Sequence, residues 1–236
     1  MPRLRIWVPI FVLAYEGIAH GDLQHGNTIV SADRIKLVDY DGMYVPALSG
    51  YSSNELGHGN YQHPKRDSHD FDPSLDNFSS WLIHTSIICL SIDPSLWDWV
   101  KQRDEFIIFH KRDLEQCQSS QLLDILSKHA SPQIRSVPKT LRRLLSMSPE
   151  KIPILDDIAI AGEQASLTPE QHFRSVGLEA GASSEQVKEA LQVWERVWAP
   201  EWFQHNRAVA RKAAQKLSAM KDSFDAISNA GSSRLP

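Results

Sequence analysis

The segment AHGDLQHGN, residues 19–27, constrains this chain more than any other feature of its sequence. It places a carboxylate, Asp22, and a carboxamide, Asn27, five residues apart among histidines and glycines. An acidic residue and an asparagine at this interval suit a loop in which one side chain orients a nucleophile and the other holds a metal ion near a phosphate. Asp22 and Asn27 are therefore the first candidate site residues.

Two short β-rich runs follow this loop, at residues 28–30 and 35–38, with a polar turn between them. This pattern predicts a β-hairpin. Because Asp39 comes directly after the second run, the hairpin would carry it back toward Asn27. We therefore expect three polar side chains, Asp22, Asn27 and Asp39, to converge on one site.

Helix is the main structure predicted after the hairpin. Residues 41–75 are rich in glycine, proline and polar side chains and predict a long surface loop. Residues 76–92 predict a largely buried helix with Asp76 as its N-cap. Short amphipathic stretches between prolines then continue to about residue 148. The expected fold class is mainly α with one short β-hairpin.

A domain boundary is predicted at residues 149–168, where prolines, acids and small residues replace the helical period. This segment would be a linker between a first unit, residues 1–148, and a small helical unit, residues 169–230. The last residues, 231–236, are expected to be loose.

Composition excludes some partners and favours one compartment. Lys and Arg number 25 against 29 Asp and Glu, a formal net charge of −4, so no basic field favours nucleic acid or an anionic membrane. The apolar run near the start has the outline of a short signal peptide, but Pro9 and Glu16 favour a buried element leading into the loop. Two cysteines, Cys89 and Cys117, cannot make a disulfide framework. A cytoplasmic protein is expected.

Four strings, HGDLQHGN, LVDYDG, GNYQHP and DNFSSW, resemble in order and spacing the carboxyl-terminal lobe of the protein kinase fold. The kinase catalytic loop reads H-R-D-L-x-x-x-N, and D-F-G, A-P-E and an aspartate opening a buried helix follow it. The resemblance covers roughly residues 10–150. Within the kinase fold, the wording of these strings is similar to that of a bacterial subgroup of kinase-like proteins. It implies ATP-dependent phosphoryl transfer.

Matching by position assigns roles to the candidate residues. The resemblance implies that Asp22 is the catalytic base and that Asn27 and Asp39 hold Mg²⁺, with ATP as the other cofactor. Each side chain also has an ordinary interpretation that remains open. Asp22 and Asn27 could bond to their own backbone, and Asp39 could form a turn.

Three further residues match positions that support the kinase site. The resemblance implies that Asp76 holds the catalytic loop through hydrogen bonds to its backbone. His20 opens the catalytic-loop string, and Pro64 falls at the proline of the A-P-E segment. The alternative for Asp76 is a simple helix cap.

Several positions depart from the protein kinase pattern. Gly21 replaces the usual arginine, so no fixed cation would pair with a phosphorylated loop, although residues that could carry phosphate are present at Tyr44, Tyr51, Ser52 and Ser53. Gln24 replaces a lysine, and Asp41 replaces the glycine of D-F-G. The histidine-glycine-aspartate form is also similar to phosphotransferases that act on aminoglycosides or choline. A protein and a small molecule both remain possible substrates.

The resemblance does not extend to the amino-terminal lobe that grips the nucleotide. No G-x-G-x-x-G string occurs, and no lysine precedes Lys36. We therefore expect the chain as given to be inactive on its own. Two hypotheses follow: a kinase-family phosphotransferase that needs this lobe, or a non-catalytic pseudokinase adaptor that binds other proteins.

Residues 172–202, with a second amphipathic helix predicted at about 206–228, resemble the J domain of co-chaperones. Ser183 and Gln186 form a capping-box pattern at the start of the first helix. Ala199, Pro200 and Glu201 stand where a J domain has histidine, proline and aspartate, so chaperone stimulation is not expected. The alternative is a plain helical hairpin with a tryptophan core formed by Trp194, Trp198 and Trp202.

Overall fold

The computed structural model describes most of the chain, in these ranges: 10, 13–14, 16–31, 34–99, 105–155, 173, 178, 181–197 and 207–232. These residues belong to two compact units. The larger unit contains the described residues up to Leu155, and the smaller unit contains those from Phe173 onward. Most of the apolar segment at the start and residues 156–168 of the predicted linker lie outside the described residues.

Helix dominates the described residues and one two-stranded sheet accompanies it, which confirms the mainly α class with a short β-hairpin. The elements are β1 (Thr28–Ser31), β2 (Arg34–Leu37), α1 (Leu75–Ile92), α2 (Lys111–Glu115), α3 (Gln121–Ser127), α4 (Pro132–Ser146), α5 (Ser184–Val197) and α6 (Arg207–Ser232). Short 3-10 helices lie at Pro46–Leu48, Pro94–Trp99 and Pro149–Lys151. None of the helices in the described ranges is long and apolar enough to cross a membrane.

The strands β1 and β2 pair antiparallel, with Thr28 opposite Leu37 and Ser31 opposite Arg34. Leu37 is buried, whereas Val30, on the same face of the hairpin, is 66% exposed, so the core covers this face only near the Thr28–Leu37 end. The Val38 amide donates to the Asn27 carbonyl at 3.0 Å and extends the ladder by one residue on each strand. The predicted hairpin is confirmed, and it brings the chain back to the loop that precedes it.

Helix α1 is the central element of the larger unit and packs against α4. It buries Phe78, Trp81 and Leu82 together with several hydroxyl side chains. Thr85 donates within the helix, to the Trp81 carbonyl at 2.7 Å, whereas Ser79 donates to the Tyr61 carbonyl of the preceding segment at 2.8 Å. A helix buried on most faces needs such internal partners for its polar side chains.

The start of α1 differs from the prediction. The helix begins at Leu75 with Ser74 as its N-cap residue, and no side chain caps it by a hydrogen bond. The prediction that Asp76 is the N-cap was therefore wrong. Asp76 lies inside the first turn, where its carboxylate accepts hydrogen bonds from the backbone of another segment.

Helices α3 and α4 pack closely together and carry the rest of the core. Their fully buried side chains are Leu123, Leu126, Ile134, Leu141 and Leu144. The segment after α4 is attached to α1 by two hydrogen bonds, from Asn77 Nδ2 to the Ile152 carbonyl at 2.8 Å and from Trp81 Nε1 to the Pro153 carbonyl at 3.0 Å.

Residues 41–75 contain no α-helix before α1 and pair with the loop through one bridge, between Ala19 and Tyr44. The prediction that this stretch only crosses the surface was wrong for residues 60–63, which are buried. The side chain of Asn60 makes this burial possible, because both of its polar atoms bind backbone groups of a distant segment. Asn60 Oδ1 accepts from the Lys111 amide at 2.7 Å, and its Nδ2 donates to the Glu105 carbonyl at 3.2 Å.

We expect His63 to make the larger unit sensitive to mild acid. Its ring is buried against Phe78, with 5.0 Å between centroids, and its Nδ1 accepts from the Lys65 amide at 3.2 Å. Burial lowers the pKa of His63. Because the unfolded chain binds this proton first, stability is full above about pH 6.5 and falls as the pH drops through the lower folded value, by at most about 1.4 kcal/mol per pH unit.

We expect the free energy of unfolding in urea to decrease between pH 7 and pH 5, and the His63→Asn variant to flatten this slope. Asparagine keeps an acceptor for the Lys65 amide but has no proton to gain. The matched control is His69→Asn, because the His69 side chain is 84% exposed. A slope unchanged by His63→Asn would contradict the prediction.

The smaller unit contains α5 and α6, which pack against each other. The predicted capping box is confirmed: Gln186 N donates to Ser183 Oγ at 3.3 Å, and Ser183 N donates to Gln186 Oε1 at 2.8 Å. The interface buries Val187, Ala190, Phe224 and Ile227. An ion pair joins Lys221 to Glu195 at 3.0 Å.

One prediction for the smaller unit needs correction, and two others concern residues that lie outside the described part of the chain. Helix α6 ends at Ser232 rather than near residue 228, so the predicted loose tail, 231–236, begins inside a helix. The tripeptide Ala199, Pro200 and Glu201 and the side chains of Trp194, Trp198 and Trp202 lie outside what the structure describes.

Candidate functional site

A buried carboxylate holds the backbone of the HGD segment. Asp76 is 7% exposed. Its Oδ2 accepts from the His20 amide at 2.5 Å, and its Oδ1 accepts from the Gly21 amide at 2.9 Å. Burial raises the pKa of the Asp76 carboxyl, while these two donors and the charge of Arg66 act in the opposite direction. The backbone contacts are those that the kinase resemblance implied for Asp76.

His20 attaches the same loop to the end of the hairpin. Its ring is fully buried, with Nε2 2.9 Å from the Val38 carbonyl oxygen and the ring centroid 5.2 Å from that of Tyr40. A carbonyl only accepts hydrogen bonds, so Nε2 carries the proton in this contact. His20 thereby fixes the backbone immediately before Asp39.

Gly21 has a conformation and a neighbour that only glycine tolerates. Its φ is +84°, and a Cβ built there would lie 1.9 Å from the carbonyl oxygen of Gly42. No arginine, nor any other side chain, fits at this position while the Gly42 peptide lies against it. The contact with Gly42 and the positive φ together account for the glycine at this position.

Asp22 and Asn27 are in direct contact. Asn27 Nδ2 donates both to the Asp22 backbone carbonyl and to its Oδ2, each at 2.9 Å. Gln24 Nε2 donates to the same Oδ2 at 2.8 Å. The other carboxylate oxygen, Oδ1, accepts from the His58 amide at 2.6 Å. The Asp22 carboxylate thus accepts three hydrogen bonds from three residues.

The approach of His58 depends on the glycine before it. Gly57 has a φ of +70°, and a Cβ there would lie 2.7 Å from Asp22 Oδ1 and 2.9 Å from the Gly21 carbonyl oxygen. The backbone at residues 57–58 therefore lies directly on the Asp22 carboxylate. Sequence analysis did not assign these two residues to the site. The string GHGN inside a long loop is the only local signal for them.

Arg66 was also missed, although it places a positive charge beside the loop. Its Nη1 donates to the Gly21 carbonyl at 3.0 Å and to Gln62 Oε1, and Gln62 Nε2 also donates to Gly21 at 3.4 Å. Burial lowers the pKa of the Arg66 guanidinium, and the charges of Asp76 and Asp22 help to raise it. Because an arginine guanidinium is not deprotonated in proteins, Arg66 keeps its charge here.

Asp39 adopts an unusual backbone conformation next to Asn27. It is the one non-glycine residue in the described ranges with positive φ, +66°. Its side chain is exposed and has no hydrogen-bond partner among the described residues. The Val38–Asn27 backbone hydrogen bond brings the start of this turn to the loop.

Two oxygen groups therefore lack donors among the described residues, Asn27 Oδ1 and the Asp39 carboxylate. Their chemistry fits Mg²⁺, which prefers oxygen ligands and commonly takes one or two protein groups with the rest supplied by phosphates and water. No group of three or more histidine, cysteine or acidic side chains suited to a metal occurs within the described ranges. The residues present fit a metal shared with a phosphate ligand.

The remaining predicted residues, Pro64 and those that could carry phosphate, differ in their exposure to solvent. Pro64 is exposed, and the packing at this point comes from its buried neighbour His63. Among the phosphate-carrying candidates, Tyr44 and Ser53 are buried, whereas Tyr51 is 69% exposed.

Comparison with models of protein families, with curated proteins and with solved structures finds no match for this chain. The assignment of a function therefore depends on the motifs of the sequence and on the contacts of the site.

Proposed function

We propose that the larger unit is a kinase-like carboxyl-terminal lobe and that it supplies the catalytic loop for phosphoryl transfer from ATP. The observation that carries this proposal is the contact between Asp22 and Asn27 on a loop whose backbone Asp76 holds by two hydrogen bonds. A base and a metal ligand must be rigidly positioned for this chemistry, because catalysis depends on positioning and charge stabilisation.

Each residue of the site has one task in this proposal. Asp22 accepts the proton of the substrate hydroxyl. Asn27 and Asp39 hold Mg²⁺, which, when bound, neutralises charge on the phosphates of ATP. His20 keeps the end of the hairpin, and with it Asp39, against the loop.

Binding of ATP tests this proposal. We expect calorimetry to show saturable ATP binding that requires Mg²⁺ and that weakens at least about tenfold in Asp39→Asn, since one charged ligand oxygen is lost. The control is Asp41→Asn, which removes an exposed carboxylate two residues away. Binding that is equal in Asp39→Asn, or equal without Mg²⁺, would refute the assignment.

A second function is favoured by one specific observation, the three donors already bound to Asp22. A carboxylate has about four acceptor positions, so the His58, Gln24 and Asn27 contacts leave little room for a substrate hydroxyl. The alternative is a pseudokinase adaptor that binds another protein. It predicts no Mg²⁺-dependent binding of ATP in the same experiment.

We propose that the smaller unit is a J-like helical module. Its support is the capping box at Ser183 and the contact between α5 and α6, with Phe224 and Ile227 buried on α6. For phosphoryl transfer by the larger unit, the proposed substrate is a protein or a small hydroxyl compound. A cytoplasmic location belongs to the same proposal, because both cysteines, Cys89 and Cys117, are free thiols.

A further inference from the structure

We propose that Arg66 is a positioning residue that, together with Asp76, clamps Gly21 from both sides and thereby sets the direction of the adjacent Asp22 carboxylate. The value of this clamp for catalysis rests on the proposed function of Asp22. The clamp itself fixes the conformation of the loop, whether or not Asp22 acts as a base.

Gly21 needs an external constraint. Glycine populates positive and negative φ about equally, so it does not by itself hold the peptide that follows it in one orientation. The peptide between Gly21 and Asp22 determines where the Asp22 side chain points. A site with a glycine directly before its base therefore depends on contacts from elsewhere in the chain.

Both polar groups of Gly21 are bound to charged side chains. Its N–H donates to Asp76 Oδ1 at 2.9 Å, and its carbonyl accepts from Arg66 Nη1 at 3.0 Å. Hydrogen bonds with a charged partner are roughly twice as strong as neutral ones. The two charges also attract each other across the glycine. Among the acidic groups near Arg66, Asp76 does most to raise the pKa of the guanidinium.

Arg66 is itself held in place. Gln62 Oε1 accepts from the same Nη1, and Gln62 Nε2 donates to the Gly21 carbonyl at 3.4 Å. Arg66 and His58 belong to one segment, of which residues 60–63 are buried, and His58 donates to Asp22 Oδ1. The segment thus contacts the loop on both sides of the Gly21–Asp22 peptide, which makes it a single support for the base.

Amide hydrogen exchange of the full chain tests the clamp without any ligand. In Arg66→Gln, we expect the amides of His20, Gly21 and His58 to exchange about tenfold faster, because loss of one charged hydrogen bond allows local opening. The amides of α4 should keep their rates. Gln62→Leu, which removes the residue that orients Arg66, should show the same local pattern at about threefold.

Arg143→Gln is the matched control, because Arg143 is exposed on α4 and no described residue binds its side chain. Unchanged exchange at residues 20–21 and 58 in Arg66→Gln, or an equal increase in α4, would overturn the proposal. If Arg66→Gln does not fold, unchanged local exchange in Gln62→Leu overturns it.

These outcomes are independent of the proposed function. Failure of the unsubstituted chain to bind ATP with Mg²⁺ would refute phosphoryl transfer and leave the clamp intact. Normal ATP binding with unchanged local exchange in Arg66→Gln would refute the clamp and leave the proposed function intact.

Discussion

Alanine at Gly21 should lower the free energy of unfolding of the larger unit by about 3 kcal/mol or more. Two effects add at this position. The φ of +84° is unfavourable for a residue with a side chain, and the new Cβ would lie 1.9 Å from the Gly42 carbonyl oxygen and 2.7 Å from its carbon. Backbone atoms cannot rotate away as the end of a flexible side chain can, so the loop or the turn at Gly42 must shift.

Gly50 provides a control that separates the two effects. Its φ is +88°, almost the same as that of Gly21, but a Cβ there would have no atom within 4 Å. Gly50→Ala should therefore show the conformational penalty alone, about 1 kcal/mol. Urea unfolding followed by circular dichroism measures both variants. Equal losses in the two variants would contradict the close contact between Gly21 and Gly42.

Because the chain as given is expected to be inactive on its own, the second large effect is expected in a fusion that supplies a kinase amino-terminal lobe, where Asp22→Asn should reduce phosphoryl transfer from ATP by about 10²–10⁴-fold. The amide has nearly the shape of the carboxylate but cannot accept the proton of a substrate hydroxyl. Binding of ATP with Mg²⁺ should remain, since Asp22 is not among the proposed metal ligands. The measurement is transfer of labelled phosphate to a peptide library and to small hydroxyl compounds.

Asp124→Asn is the matched control for this variant, because Asp124 is an exposed carboxylate whose side-chain contact is an ion pair with Lys128. It should leave the transfer rate unchanged. Equal and measurable transfer by this fusion with and without Asp22→Asn would refute Asp22 as the base. Absence of transfer together with absence of ATP binding in the unsubstituted chain would favour the adaptor.

The elements that sequence analysis predicted well are those that depend on neighbours along the chain. The hairpin of β1 and β2 follows from two β-rich runs around a polar turn, and the capping box follows from the spacing of Ser183 and Gln186. Each needs only residues a few positions apart, so local pattern is sufficient evidence for it.

The errors in the larger unit involve contacts between distant segments. Asp76 has the sequence context of an N-cap, yet its carboxylate binds backbone amides 55 and 56 residues away in the chain. Residues 60–63 have the composition of a surface loop, but Asn60 and Tyr61 find hydrogen-bond partners at residues 105–111. Composition does not show such partners, because they come from other elements.

For the candidate site, the sequence alone determined the identity and order of Asp22, Asn27 and Asp39 and the hairpin that returns the chain to the loop. Only the tertiary structure decided what surrounds them: the Gly42 peptide against Gly21, the His58 amide on Asp22, and the charge of Arg66 beside Asp76. The physical reason is that hydrogen bonds and steric contacts act between groups a few ångströms apart in space. Local pattern reports such neighbours only when they are also close along the chain.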